Sequence, residues 1–259
     1  MLNTFLSTQS LVGIFLIFLI VPCLIVLVAY FLFKKIRPTE DISDDDKTFL
    51  TSTLSGSITL ACILIGFGYS IAIGNLDKVD ADLVVEVTNI QTLNRLLSID
   101  ASPESLRAKN YLDQYALSIV DDEWPELAKG GSSIKTGMLW REVEKSLDSL
   151  NLKTQKQISI FSSIIMTAER VKTSRLTRLL NASLSIPSTF VRLSNLLILL
   201  IFVISGILMV HASNLRKFAL LLQSLIFALF LAGVVVLDFP YTGAMKVSPE
   251  SMKGVLNVL

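Results

Sequence analysis

Long uncharged runs of apolar residues alternate with polar segments along this chain, and the runs are long enough to form membrane-spanning helices. The first run, residues 11–33, has 23 residues without a charge, whereas about 20 residues cross a hydrocarbon core of about 30 Å. No basic segment precedes it and no small-residue cleavage site follows it, so we expect a retained helix and not a signal peptide. The same pattern predicts further spans at about 49–74, 191–210 and 218–237.

The segment between the second and third spans has the charged, amphipathic pattern of a helical region outside the lipid. Its apolar positions recur at helical spacing, and Ser102 is a plausible N-cap before a proline at the first helical position. No sustained alternation with a period of two predicts a strand. The expected helices are about 80–98, 103 to Pro125, 133–150 and 153–183.

The predicted fold is therefore an all-α membrane protein with four transmembrane helices and a helical bundle between the second and third. Residues 1–74 would contain transmembrane helices 1 and 2. Residues 75–188 would form the soluble helical region, and residues 189–259 would contain transmembrane helices 3 and 4 and a C-terminal tail.

The second span carries small and hydroxylated residues at intervals of three or four positions, which places them on one helical face. Such a face either allows close approach of another helix or forms the wall of a water-filled path. Three bulky residues, one helical turn apart, either form a dewetting constriction or pack against neighbouring helices. The face comprises Ser52, Ser55, Thr59, Cys62, Gly66 and Ser70, and the bulky residues are Ile63, Phe67 and Ile71.

Composition supports a membrane protein and argues against several functional classes. Of 259 residues, 52% are hydrophobic and 17% are charged, whereas soluble domains average about 25% charged residues. The net charge of +1 offers no basic surface, so we expect no nucleic-acid partner. With one histidine and no zinc-protease, nucleophile-elbow or Walker motif, we expect no enzyme and no cofactor. Cys23 and Cys62 lie in apolar runs and are expected to pack, forming neither a disulfide nor a metal pair.

The distribution of basic residues leaves the orientation in the membrane open. Four spans place both termini and the helical region on one side and the two short connections on the other. Each side carries six lysine or arginine residues near the span ends, so the positive-inside rule does not decide between them. Greater weight on the short connections would favour placing those connections in the cytoplasm.

Three short motifs lie outside the spans. They contain Tyr111, Tyr115, Asp121, Asp122, Glu123, Trp124 and Pro125; then Arg175, Arg178, Ile186 and Pro187; and finally Asp238, Phe239, Pro240, Tyr241, Gly243, Ser248 and Pro249. In this order they resemble the signatures of the bestrophin-like membrane proteins of bacteria and plants, relatives of the bestrophin anion channels. Glu86 matches a further acidic position of that family, whereas Tyr241 replaces its usual phenylalanine and the segment after the second span lacks its tryptophan.

The resemblance implies an oligomeric channel for small anions in which the second helix of each copy lines a central pore. It also implies a pentamer in the cell (inner) membrane, with the helical region and both termini in the cytoplasm. The pore-lining candidates are Ser52, Ser55, Thr59, Ile63, Gly66, Phe67, Ser70 and Ile71. The structural candidates are Glu86, Tyr115, Glu123, Trp124, Pro125, Arg175, Arg178, Pro187, Asp238, Pro240 and Gly243.

The motifs also have interpretations that need no pore. The Trp-Pro pair would end a helix and bury an indole, and Asp238 would cap the last span and anchor it at the interface. The two arginines of the second motif either form ion pairs or attract anions at a pore entrance. Glu123 and Asp121 are the carboxylates available for such pairs. The alternative function is a non-conducting membrane scaffold whose helical region binds a partner.

Overall fold

The computed structural model describes residues 11–36, 43–150, 154–210, 212–241, 246–250 and 252–253. Every regular element in these residues is helical, so the predicted all-α fold is confirmed. The elements are α1 (Leu11–Ile36), α2 (Asp44–Asp100), α3 (Pro103–Ser118), a π-helical turn (Ile119–Glu123), α4 (Trp124–Leu127), α5 (Ile134–Asp148), α6 (Gln155–Asn181), α7 (Ser188–Leu208) and α8 (Asn214–Leu237). Helices α1, α2, α7 and α8 are long and apolar enough to cross a membrane.

Helix α2 continues through the position at which the sequence predicts a break. A span ending near residue 74 and a separate helix at about 80–98 were expected, but α2 runs for 57 residues without interruption. Gly74 lies in open space, where a glycine costs a helix only about 1 kcal/mol. No proline follows it, and Val79, Leu83 and Ile90 continue a buried helical face. The change in polarity after Gly74 therefore marks a change of surroundings and not the end of a helix.

The helices form two compact units, and α2 contributes residues to both. The membrane unit contains α1, the part of α2 up to Gly74, α7 and α8. Its apolar cluster draws on all four helices and includes Val26, Leu54, Ala61, Ile65, Ile198, Phe202 and Phe227. Apolar side chains also cover much of the outer surface of these helices, as contact with lipid requires.

Helices α1 and α7 approach each other closely at Gly206. A Cβ atom added to this glycine would lie 2.6 Å from the Ala29 Cβ and 2.6 Å from the Val26 carbonyl oxygen. Small residues permit this kind of backbone approach between membrane helices. Because one of the opposing atoms belongs to the backbone, any side chain at Gly206 would push the two helices apart.

Replacing Gly206 by alanine is expected to lower the free energy of unfolding by about 1–3 kcal/mol, the usual cost of overpacking. The measurement is the melting temperature of the purified protein in detergent. Gly56→Ala is the matched control, because a Cβ at Gly56 would meet no atom within 4 Å. A Gly206→Ala protein as stable as this control would contradict the close approach of α1 and α7.

The helical unit contains α2 from Asn75 onward, α3 to α6 and the described residues of the tail from Phe239. Ser102 caps α3 by accepting a hydrogen bond from the Ser105 N–H, and a proline occupies the first turn, as the sequence predicts. Burial would raise the pKa of Asp100, but hydrogen bonds from the Ser102 and Ser105 hydroxyls, each 2.5 Å long, hold that pKa below its usual value. The turn between α2 and α3 is thus fixed by side-chain hydrogen bonds.

The helix that begins after Ser102 does not continue unchanged to Pro125, as was expected. After α3 the backbone widens into one π-helical turn, Ile119–Glu123. Such a turn rotates the side chains that follow it relative to an α-helix. Asp121 is left exposed, whereas the Glu123 side chain is fully buried. This turn therefore decides which carboxylate of the first motif faces the core.

Candidate functional site

The small-residue face of α2 points away from the other helices of the membrane unit. Its residues are all exposed: Ser52, Ser55, Thr59, Cys62, Gly66 and Ser70. The opposite side of the helix, which includes Leu54, Ala61 and Ile65, is buried in the apolar cluster. A Cβ added at Gly66 would meet no atom within 4 Å. Among the described residues, this face is therefore not used for packing within its own chain.

Two of the three bulky candidates are exposed on the same helix. The Ile63 and Phe67 side chains are 51% and 58% exposed, one helical turn apart. Ile71, in contrast, packs partly against the apolar cluster. The Thr59 hydroxyl donates a hydrogen bond to the Ser55 carbonyl oxygen at 3.1 Å, so this polar group is satisfied inside the helix. Hydroxyl and bulky apolar side chains thus share a surface that no other part of the described chain covers.

Residues from the sequence motifs meet in a buried polar cluster in the helical unit, formed by Glu86, Tyr115, Glu123, Arg175 and Arg178. The Glu123 Oε1 is 2.6 Å from the Arg175 Nη2, and the Glu123 Oε2 is 2.6 Å from the Arg178 Nη2. The Arg178 Nε lies 2.9 Å from the Glu86 Oε2. Tyr115 donates a hydrogen bond to the Glu86 Oε1 at 3.4 Å. The predicted ion pairs of the two arginines with Glu123 are therefore present.

The charges of this cluster are almost closed off from solvent. Glu86 and Glu123 are 0% exposed and Arg178 is 3% exposed, whereas the Arg175 side chain is 16% exposed. Burial raises the pKa of Glu86, although the Arg178 guanidinium opposes the rise. Burial would lower the pKa of Arg178, but the nearby carboxylates outweigh this effect and raise it. Two guanidinium groups face two carboxylates, which is the pairing that buried charges require.

The first and third motifs meet at Tyr241. Its ring lies edge-on to the Trp124 indole, with centroids 5.4 Å apart, and its hydroxyl donates a hydrogen bond to the Arg178 carbonyl oxygen at 3.5 Å. Burial raises the pKa of Tyr241. The indole of Trp124 is buried, as expected. The expected helix end at this place is wrong, because Trp124 begins α4 and Pro125 fits the first turn, where a proline needs no backbone donor.

Asp238 caps the end of α8 and contacts the chain just before α7. Its Oδ1 accepts a hydrogen bond of 2.5 Å from the Ile186 backbone nitrogen, and Pro187 is the N-cap of α7. Burial raises the pKa of Asp238 to about 6, against the lowering effect of this hydrogen bond. Pro240 is buried, and Gly243 lies outside the described residues.

The carboxyl group of Asp238 has a higher pKa in the folded protein than in the unfolded chain. The free energy of unfolding therefore falls as pH rises from the lower of these values to the higher. The ordinary pKa of this group is 3.8 and its pKa in the folded protein is about 6, so the folded state holds the proton more tightly in this interval. Asp238→Asn keeps an oxygen that accepts the Ile186 N–H but carries no charge. We expect this variant to melt at a higher temperature than the original protein near neutral pH, and at the same temperature near pH 4. A difference that is equal at both pH values would contradict this assignment.

Polar pairs between α2 and its neighbours were not predicted from the sequence. Asn181 donates a hydrogen bond to Asp82 at 2.7 Å, and Asn94 donates one to Asp113 at 2.8 Å. Amide–carboxylate pairs have no fixed spacing along a chain, so no motif signals them. No group of three or more His, Cys, Asp or Glu side chains in the described ranges is placed to hold a metal ion.

The order and placement of these features agree with comparisons to known proteins. A family model of the Bestrophin-like domain matches residues 16–252. The chain belongs to the Bestrophin-like family. A crystal structure of a bacterial bestrophin homolog from Klebsiella pneumoniae, phased by Zn-SAD, has a TM-score of 0.62 at 14% identity, with 94% of each chain covered. A single-substitution variant of the Klebsiella pneumoniae homolog has a TM-score of 0.64 at 12% identity, covering 96% of this chain and 95% of that chain.

The resemblance predicted from the three motifs is thus confirmed, and this bestrophin-like chain is a membrane protein. At such low identity the crystal structures show the shared fold alone. The comparison with curated proteins finds no match. The role of each candidate residue in function therefore stays a prediction, to be judged from the geometry of this chain.

Proposed function

We propose that this bestrophin-like protein is an oligomeric ion channel that conducts small anions through a central pore lined by α2. The observation that carries the proposal is the exposed α2 face, a continuous strip of hydroxyl-bearing and small residues on an apolar membrane unit. Lipid offers such a strip neither hydrogen-bonding partners nor a close-packed surface. Water in a pore supplies the hydrogen-bonding partners, and a second copy of the helix supplies the close-packed surface.

A closed ring of identical chains satisfies this face best. Each α2 would turn its exposed side toward the symmetry axis and toward the adjacent copies, while its buried side stays in its own unit. The bestrophin resemblance favours five copies in the cell (inner) membrane, with the helical unit and the termini in the cytoplasm. This number and this orientation rest on analogy with the family.

Ile63 and Phe67 are proposed to form the narrowest part of the pore. Both side chains are large, apolar and more than half exposed. A ring of such side chains would exclude water at small diameter and so would act as a hydrophobic gate. Ser52, Ser55, Thr59, Gly66 and Ser70 would line the wider parts of the path, and the half-buried Ile71 would border it.

Arg175 and Arg178 support the fold of the helical unit in this proposal and do not attract anions. Glu123 neutralises both guanidinium groups, and Arg178 is buried. Anion preference would then come from hydroxyl groups and dipoles along α2. The motif residues around this cluster would hold the helices that present the pore-lining face.

The proposal is tested by measuring mass in detergent and then ion flux in liposomes. The expected mass is a multiple of the 28.6 kDa chain, and chloride should pass faster than potassium. A monodisperse monomer without flux would overturn the proposal. So would an oligomer that passes neither ion but co-purifies with one specific protein, because that result identifies a scaffold.

A further inference from the structure

A groove opens between α1 and α7 on the N-terminal side of their close approach at Gly206. Its volume is about 410 Å³, and it follows α1 from Ile17 to Ile25, a length of about 12 Å at the rise of about 1.5 Å per residue. Helix α1 is the least buried of the four membrane helices, as expected for a helix that faces lipid. Ile17, Val21 and Leu199 are 40%, 48% and 43% exposed, so the groove is open to its surroundings. Its apolar lining also includes Phe18, Ile198 and Phe202.

One polar side chain stands in this apolar lining. Asn195 is the single polar residue among the described residues that line the groove, and its side chain makes no hydrogen bond within the described chain. A carboxamide offers two N–H donors and one carbonyl acceptor. Hydrocarbon satisfies none of them, so an amide on a lipid-facing surface is costly without a partner. The occupant of the groove should therefore combine an apolar chain with a hydrogen-bond acceptor.

Arg192 lies at the mouth of the groove. It precedes Asn195 by three positions and Leu199 by seven, and both spacings place residues on the same face of a helix. Arg192 is exposed, is the only charged residue of α7 and forms no ion pair with a carboxylate of the described residues. The Asp238 carboxylate, near the start of α7, accepts the Ile186 N–H instead. Because an uncharged run follows Arg192, its guanidinium lies at the depth of the lipid headgroups.

We propose that this groove binds a glycerophospholipid, with one acyl chain between α1 and α7, an ester carbonyl at Asn195 and the phosphate at Arg192. The ester carbonyls of such a lipid lie between its phosphate and its chains, just as Asn195 lies between Arg192 and the apolar end of the groove. Side chains of a helix lean toward its N-terminus, so Asn195 leans toward Arg192. The site lies on α1, α7 and α8 and uses no residue of the exposed α2 face, so it is independent of the proposed pore.

The test is a lipid titration of the full-length protein in detergent, followed by native mass spectrometry. Ester-linked phosphatidylglycerol is compared with its ether-linked form, which has chains of the same length but no carbonyls. Diacylglycerol with the same acyl chains lacks only the headgroup and its phosphate. We expect the ester form to bind about fivefold more tightly than the ether form, the effect of about one hydrogen bond. Diacylglycerol should also bind about fivefold more weakly than the ester form, because the arginine contact to phosphate is lost.

Two variants should each remove one of these preferences and keep the other. Asn195→Leu should bind the ester and ether forms equally, and Arg192→Gln should lose the preference for phosphatidylglycerol over diacylglycerol. Arg192→Lys should keep most of that preference, because an ammonium group also binds phosphate. Arg216→Gln is the matched control: it removes an exposed arginine from the opposite end of the membrane unit and should leave both preferences unchanged.

The groove itself is tested by filling it. Val21→Trp places a large side chain in the lining and should weaken binding of ester-linked phosphatidylglycerol. Leu200→Trp, at an exposed position of α7 that does not line the groove, should leave this binding unchanged.

Three results would overturn the proposal. An ester preference that is absent from the original protein, or that persists in Asn195→Leu, would show that Asn195 holds no ester carbonyl. An undiminished preference for phosphatidylglycerol in Arg192→Gln would show that Arg192 does not bind the phosphate. A lower oligomer mass for Val21→Trp, with the Leu200→Trp mass unchanged, would show that a second copy of the chain occupies the groove.

Discussion

Replacing Arg178 by methionine is expected to lower the free energy of unfolding by about 3–5 kcal/mol, the range for breaking a buried ion pair. The guanidinium lies between the carboxylates of Glu86 and Glu123, and both glutamates are fully buried. Its loss leaves two carboxylates with only Arg175 to balance them, so one carboxylate must take up a proton or admit water. The measurement is the melting temperature in detergent and the fraction of protein that elutes as one monodisperse species.

The matched control for this prediction is Arg170→Met on the same helix, α6. Arg170 is exposed and pairs with no carboxylate of the described residues, so its replacement should change stability little. Adding Glu86→Gln to the Arg178→Met variant should restore part of the stability, because Glu123 keeps its ion pair with Arg175 and no buried carboxylate is then left without a partner. An Arg178→Met protein as stable as Arg170→Met would contradict the structural role of the cluster.

Removing the two exposed bulky side chains of α2, with Ile63→Ala and Phe67→Ala, is expected to raise the chloride current several-fold. If these side chains form a hydrophobic constriction, smaller ones admit water and lower the barrier to an ion. A barrier lowered by about 1.4 kcal/mol corresponds to a tenfold change. The measurement is single-channel current in planar bilayers with chloride and potassium gradients, which gives conductance and selectivity together.

Phe31→Ala provides the control for loss of a large apolar side chain. Phe31 is 62% exposed on α1, which does not line the proposed pore. Its replacement should leave conductance and selectivity unchanged. Equal currents from the Ile63→Ala, Phe67→Ala protein and from the Phe31→Ala protein would show that α2 has no constriction at these residues.

The membrane helices could be predicted from the sequence because hydrocarbon tolerates few charges. The uncharged runs near α1, α7 and α8 lie within a few residues of the observed helices. The end of the second span could not be predicted in this way. A helix ends where its backbone finds caps or breakers, and Gly74 is followed by residues that continue the buried face of α2.

The candidate residues of the helical unit could be found from their motifs, but their geometry could not. The sequence left Asp121 and Glu123 equal as partners for the arginines. The π-helical turn separates them, since it turns Glu123 inward and leaves Asp121 in solvent. Asp82 and Asn181 gave no signal at all, because 99 positions separate them along the chain.

The small-residue face of α2 could be located from the spacing of its residues in the sequence. What this face contacts could not be predicted in the same way. Its exposure in the single chain shows that no helix of the described chain packs on it. Close packing between copies and contact with water then remain as its two uses, and a ring of chains combines them. A measurement of water access to this face during conduction therefore tests the proposed pore itself.

The most direct test is to modify one cysteine on the α2 face while the current is recorded. In a protein with Cys23→Ser and Cys62→Ser, Ser70→Cys places a single thiol on the exposed face, and Leu16→Cys places one on the outside of α1. A charged, membrane-impermeant methanethiosulfonate, which forms a mixed disulfide with an accessible thiol and releases a sulfinate, is then added during the recording. A pore lined by α2 predicts that the current of the Ser70→Cys protein falls and recovers on reduction, while that of Leu16→Cys is unchanged. A steady Ser70→Cys current, with the thiol shown to be labelled, would contradict a pore along α2.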